Sequence, residues 1–159
     1  MHNSQLKFIY FSLLLAFICL LIPWSGIALW LRPDFMLLVI IYWLLRAPNQ
    51  CNVGTAWFVG LLVDLATGGV FGQYALAYTV TTFVAVVYQR RLVLFNNTQQ
   101  LVYVFLLLML SQIVLLVLKT FSGTEWLGWA YFLPSITGIL IWQFAVMLGL
   151  NTGKHSRGN

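Results

Sequence analysis

The sequence predicts an all-α integral membrane protein, a compact bundle of about six transmembrane helices with both termini on the cytoplasmic side. Three observations carry this. First, 62% of the 159 residues are hydrophobic and 7% are charged, where a soluble domain is about 45–50% apolar and about 25% charged. Second, the apolar residues fall into six runs separated by proline, glycine or charge. Third, the basic residues concentrate at alternate ends of those runs, as the positive-inside rule requires.

The first run covers residues 8–22 and ends at Pro23-Trp24. It reads as a retained helix, because Pro23-Trp24-Ser-Gly26 makes a poor small-x-small cleavage site. The second covers 33–45 and ends at Arg46-Ala-Pro48. Pro33 suits a first helical turn, and Asp34 favours the positive end of a helix there. The third covers 53–66, with Asn52 as its N-cap. The fourth covers 74–88 and ends at Gln89-Arg-Arg91, the fifth covers 101–121, and the sixth covers 127–150.

A spanning helix needs about 20 apolar residues, so runs five and six are long enough and runs two and three are short. Ile27-Ala-Leu29 can extend the second run, or the bilayer can thin around the bundle. A re-entrant pair formed by runs two and three is the alternative. It would remove both crossings and still leave both tails on one side. The 159 residues read as one polytopic domain with no soluble part.

With the N-terminus inside, Lys7, Arg46, Arg90, Arg91, Lys154 and Arg157 are cytoplasmic. Only Arg32 and Lys119 are outside, with the acids Asp34 and Glu125, while Asp64 lies toward the outer end of run three. Trp24, Trp30, Trp126, Trp129 and Tyr131 mark an outer interface, and Tyr10, Tyr42, Trp43 and Tyr88 an inner one. Trp57 and Trp142 fall deeper and are expected between helices. The net charge of +5 comes from basic residues spread singly along the chain. That pattern points to topology and anionic lipid rather than to nucleic acid.

Asp64 is the residue that most needs a reason. A carboxylate at membrane depth costs roughly 2.5–3.5 kcal/mol on insertion scales. Structurally, it can accept N–H groups from the Gly68-Gly69 turn and fix a helix end. Otherwise its partners are Arg32, Lys119 or the polar residues of run four: Tyr78, Thr79, Thr81 and Thr82. A proton relay normally shows several acids or histidines on one path, and here there is one. Arg32 is an interfacial anchor that can meet lipid phosphate or a partner's carboxylate. Gly54 and Gly60 are small enough for close helix approach, as are Ala75, Ala77 and Ala85. Ser111 and Gln112, near the middle of run five, can bond across helices.

Cys19 and Cys51 fall at different depths, which argues against a disulfide. No cysteine–histidine metal spacing occurs, and His2 and His155 lie in the tails. No cofactor is expected. With three acids in the chain, no paired carboxylates and no nucleophile–base pair can be assembled. The chain therefore reads as non-enzymatic.

Three blocks resemble the MreD family of bacterial rod shape-determining proteins. They are Leu31-Arg-Pro-Asp-Phe35 running into Ile41-Tyr-Trp43, Ala47-Pro48 with Asn52-Val-Gly-Thr55, and Gly60-Leu-Leu-Val-Asp-Leu-Ala-Thr-Gly-Gly-Val-Phe-Gly72. The distinctive part is residues 31–72; the second half matches mainly in hydropathy. The resemblance implies a non-catalytic inner-membrane component of the elongation (Rod) machinery. Such a component acts with MreC, and with MreB, RodA and the elongation transpeptidase in the wider complex, to organise lateral peptidoglycan synthesis. It also implies a six-helix fold similar to substrate-binding subunits of energy-coupling-factor vitamin transporters. The family supplies no catalytic residues; Arg32, Pro33, Asp34, Asn52, Gly54, Gly60, Asp64, Gly68 and Gly72 become candidate structural or partner-docking positions. Two other functions remain in view. One is a small-molecule-binding membrane subunit of a transporter, with Asp64 and the outer aromatic rim forming a pocket. The other is a membrane enzyme acting on lipid-linked precursors, against which the missing catalytic pairs count.

Overall fold

The computed structural model describes residues 2–23, 25–47, 49–92, 96–123 and 128–153. Their regular structure is all helical, joined by short turns and loops, with no strand among the described residues. Six long helices follow in order: α1 (His2–Leu21), α2 (Phe35–Arg46), α3 (Val53–Thr67), α4 (Gln73–Leu92), α5 (Asn97–Phe121) and α6 (Leu133–Gly153). A single helical turn, Ile27–Trp30, stands between α1 and α2, and a 3₁₀ turn, Trp129–Phe132, precedes α6. Trp24, Pro48, Glu125, Trp126, Lys154, His155 and Arg157 lie outside the described residues.

Local chemistry sets the helix ends. Asp34 caps α2 by accepting the Leu37 N–H at 3.3 Å. The helix stops at Ala47, which precedes Pro48 in sequence and is pushed out of the helical region (φ −136°). Asn52 and Thr55 form a reciprocal capping box at the start of α3. The Asn52 Oδ1 accepts Gly54 N–H at 3.1 Å and Thr55 N–H at 3.2 Å, and Thr55 Oγ1 accepts Asn52 N–H at 3.0 Å. Gly68 ends α3 in the left-handed region (φ 65°), where a side chain would be strained, and its N–H returns to the Asp64 carbonyl at 3.2 Å.

The shortest helix is the centre of the bundle. α2 packs on α1, α3, α4 and α6. Its Met36, Leu37, Leu38, Ile40, Ile41 and Leu44 are all buried. The most extensive pairing is α3 with α4, followed by α4 with α5. Side-chain bonds tie neighbours at several heights. Trp43 Nε1 donates to Ser12 Oγ at 2.8 Å, Gln73 Nε2 to Ser122 Oγ at 2.8 Å, and Tyr103 Oη to the Val84 carbonyl at 3.3 Å.

The other five helices turn apolar side chains outward: Phe8 and Leu15 from α1, Phe58 and Leu65 from α3, Phe83 from α4, Leu106 from α5, Phe144 from α6. Two stretches, Thr98–Phe121 and Trp129–Leu148, are long and apolar enough to cross a bilayer. Leu6–Leu21, Phe35–Arg46, Val53–Thr67 and Gln73–Tyr88 are apolar but shorter. The twelve residues of α2 rise about 18 Å at ~1.5 Å each.

Some sequence expectations change. Ile27-Ala-Leu29 does not extend α2, because the chain leaves the helix at Leu31–Asp34 around Pro33. Trp142 is packed as expected, 3% exposed, whereas Trp57 is 51% exposed on the outer side of α3. Tyr42 and Trp43 are half-buried, and the Arg46 guanidinium lies 5.1 Å from the Tyr42 ring centroid at the C-terminal end of α2. The Tyr42 and Trp43 rings meet edge to face with centroids 5.5 Å apart.

Candidate functional site

Two neighbouring features are built at one end of the bundle. The C-terminal ends of α1, α3 and α5 meet the N-terminal ends of α2, α4 and α6 there.

The first feature is a clasp between α3 and α4. Asp64, in the last turn of α3, is 3% exposed. Its carboxylate accepts three backbone N–H groups across the intervening loop: Tyr74 at 2.9 Å on Oδ1, and Gly72 at 3.0 Å and Ala75 at 3.1 Å on Oδ2. The first N–H groups of a helix have no partner within it and carry its positive dipole end. Asp64 supplies both an acceptor and a negative charge for α4. The bonds expected to Gly68-Gly69 are replaced by this reach to the next helix. Arg32, Lys119, Tyr78 and the threonines of α4 do not bond to it.

Gly60 lies four residues before Asp64, on the same face of α3. A Cβ placed there would lie 2.5 Å from Ala75 Cα, 2.7 Å from Ala75 N and 2.8 Å from the Tyr74 carbonyl oxygen. Only a residue without a side chain fits. Gly54 has no such role. It is exposed, and a Cβ on it would meet only the Asn52 side chain at 3.3 Å. Gly72 adopts φ 97°, which leaves its N–H facing Asp64.

The second feature is a cleft of about 310 Å³. Its polar lining comes from Arg32, Asp34, Thr67, Tyr74, Gln112, Lys119 and Tyr131. Leu20, Leu115 and Pro134 form apolar wall. The Arg32 Nη2 donates to the Leu20 carbonyl, holding the end of α1 against the segment before α2. The Lys119 ammonium sits 5.3 Å from the Tyr131 ring centroid, a cation–π distance. Asp34 is turned inward, where its Oδ1 accepts the Tyr78 hydroxyl in addition to Leu37 N–H.

Tyr78 was legible only as one polar residue of run four. The structure makes it the link between α4 and α2. Replacing it with Phe keeps the buried ring and removes a hydroxyl bonded to an acid. We expect Tyr78→Phe to lower stability by about 1–3 kcal/mol, measured by melting in detergent. An unchanged melting temperature would show that the bond contributes nothing.

Other candidates give less. Thr81 and Thr82 are fully buried, and neither their hydroxyls nor that of Ser111 has a hydrogen-bond partner in the structure. Gln112 faces the cleft. Cys51 is buried with Sγ 3.5 Å from Thr55 Oγ1, and burial pushes its thiol up, away from the reactive thiolate. No group of three or more potential metal ligands occurs among the described residues.

The family model for the rod shape-determining protein MreD matches residues 2–150. The chain belongs to the MreD family. A curated relative, the rod shape-determining protein MreD of Haemophilus influenzae, is 27% identical over 136 residues, covering 84% of this chain and 83% of the relative. No solved structure matches. The MreD match extends over both the clasp and the cleft, including the second half, where mainly hydropathy carried the resemblance.

Proposed function

We propose that this MreD-family protein is a multi-pass, non-catalytic component of the bacterial inner membrane that maintains rod shape by scaffolding or regulating lateral peptidoglycan synthesis. The observation that carries the membrane part is the outward apolar face of α1, α3, α4, α5 and α6. In water such faces would form patches larger than soluble monomers expose. In a bilayer they meet lipid and the transmembrane helices of partners, where packing and interhelical hydrogen bonds drive association. MreC is the chief partner in this reading, with MreB, RodA and the elongation transpeptidase beyond it. Both tails are cytoplasmic, and the clasp and cleft face outward.

Depleting the protein from a rod-shaped host should round the cells. Crosslinking from the exposed faces of α3 and α4 in living cells should recover MreC. Rods of normal shape after depletion, with no MreC captured, would sink the proposal. The cleft favours a second reading, a small-molecule-binding subunit of a transporter. Ligand uptake that depends on the protein, with cell shape unaffected by its loss, would select that reading instead.

A further inference from the structure

We infer that the cleft between Arg32 and Lys119 is a binding site for the phosphate headgroup of a membrane amphiphile. This goes beyond the shape-determining role and does not depend on it.

The charge balance comes first. The cleft holds two cations and one acid. The acid is already engaged by Tyr78 and the start of α2, and the clasp carboxylate is occupied by three N–H groups. Neither acid forms a hydrogen bond with Arg32 or Lys119. One arm of the Arg32 fork is used on Leu20, which fixes its guanidinium and leaves its other donors for a ligand. Among the described residues, Lys119 meets the Tyr131 ring face and forms no ion pair. Tyr74, Tyr131 and Gln112, each with a polar group, line the same space.

Shape comes second. At about 310 Å³ the cleft reaches the lower end of ligand-sized pockets, about 300–1,000 Å³. A bare inorganic ion would leave the apolar wall of Leu20, Leu115 and Pro134 unused. An amphiphile uses both parts, with its phosphate between the cations and its first carbons on the wall. The exposed Ile27, Phe121 and Trp129 lie on the elements that border this end, where a chain entering from the bilayer would pass.

The test uses the full chain in neutral detergent. Binding of dodecyl phosphate, dodecyl phosphocholine and inorganic phosphate is followed by melting temperature and aromatic fluorescence. Dodecyl phosphate should bind and raise the melting temperature; the zwitterion and the free ion should bind at least about tenfold more weakly. Lys119→Gln should weaken dodecyl phosphate by about tenfold or more, the loss of one charge-assisted bond. Lys119→Arg should restore it. The ligand-free melting temperature of both variants reports whether they fold, and Arg32→Lys gives an independent arm with charge retained and the fork removed. Equal affinity for dodecyl phosphocholine, or unchanged affinity in folded Lys119→Gln, would overturn the site. Inorganic phosphate binding as tightly as dodecyl phosphate would overturn the amphiphile. Dodecanoate, titrated alongside, binding more tightly than dodecyl phosphate would overturn the phosphate headgroup.

Discussion

Replacing Asp64 with Leu should be among the most damaging single changes in this protein. Leucine fits the apolar surroundings and removes the cost of a buried acid, so transfer free energy alone would make it harmless. The hydrogen bonds predict the reverse. Three N–H groups, from Gly72, Tyr74 and Ala75, lose their acceptor together. Each unsatisfied buried donor costs about 1–3 kcal/mol. Gly72 is only half-buried and can recover water, whereas Ala75 is buried and cannot. A loss of about 3 kcal/mol or more follows, with α4 loosened from α3. Asp64→Asn should cost less. Its single oxygen can take the Oδ2 place and keep two of the three bonds, but its amide then faces the Tyr74 N–H, donor against donor. About 1–2 kcal/mol is expected, within the range of a lost helix cap. Melting in detergent and protein abundance in the membrane measure both. Equal destabilisation by Asn and Leu would rule out the clasp as the reason for Asp64. Equal loss of cell shape at equal abundance would show that the charge is needed for something besides folding.

Asp64 was legible as important because an acid in an apolar run needs a partner. The partner itself was not. Local rules reach about four residues along a helix, and they pointed to Gly68-Gly69. The bonds instead cross a loop to residues eight to eleven positions ahead, which requires knowing how α4 folds back. The same limit hid the pairing of Asp34 with Tyr78, 44 residues away. Helix starts fared better, because a cap is a local event: Asn52 marks α3 within one residue. The central place of α2 could not be read. Its run is apolar on every side, so no polar face told which way it looked. Arg32 and Lys119 were assigned to one side by charge counting, but only the packing of six helix ends makes them walls of one cleft.

Gly60→Ala should approach the Asp64→Leu effect, for a steric reason acting on the same place. The added methyl would press on the backbone of Ala75 and Tyr74 at 2.5–2.8 Å. Backbone atoms, unlike a side-chain tip, cannot rotate away, so α4 must move off α3 as a body. Overpacking a well-fitted contact costs about 1–3 kcal/mol, occasionally more. Here the displaced atoms include the Ala75 N–H that Asp64 holds at 3.1 Å. The shift would therefore stretch the clasp as well as the contact. This coupling makes a sharper forecast than the single mutant does. Once Gly60→Ala has moved the start of α4, Asp64→Asn has fewer good bonds left to lose. The double mutant should be less destabilised than the two single losses added together, by about 0.5–2 kcal/mol, a coupling expected of residues sharing a partner and capped by the Asp64→Asn loss itself. The cycle is measured by melting all four proteins in one detergent. Strict additivity would mean that Gly60 and Asp64 act on α4 independently, and the single-clasp account would fail. Gly54→Ala is the control on the same helix. Its methyl meets only Asn52 at 3.3 Å, so its effect should be small and additive with Asp64→Asn.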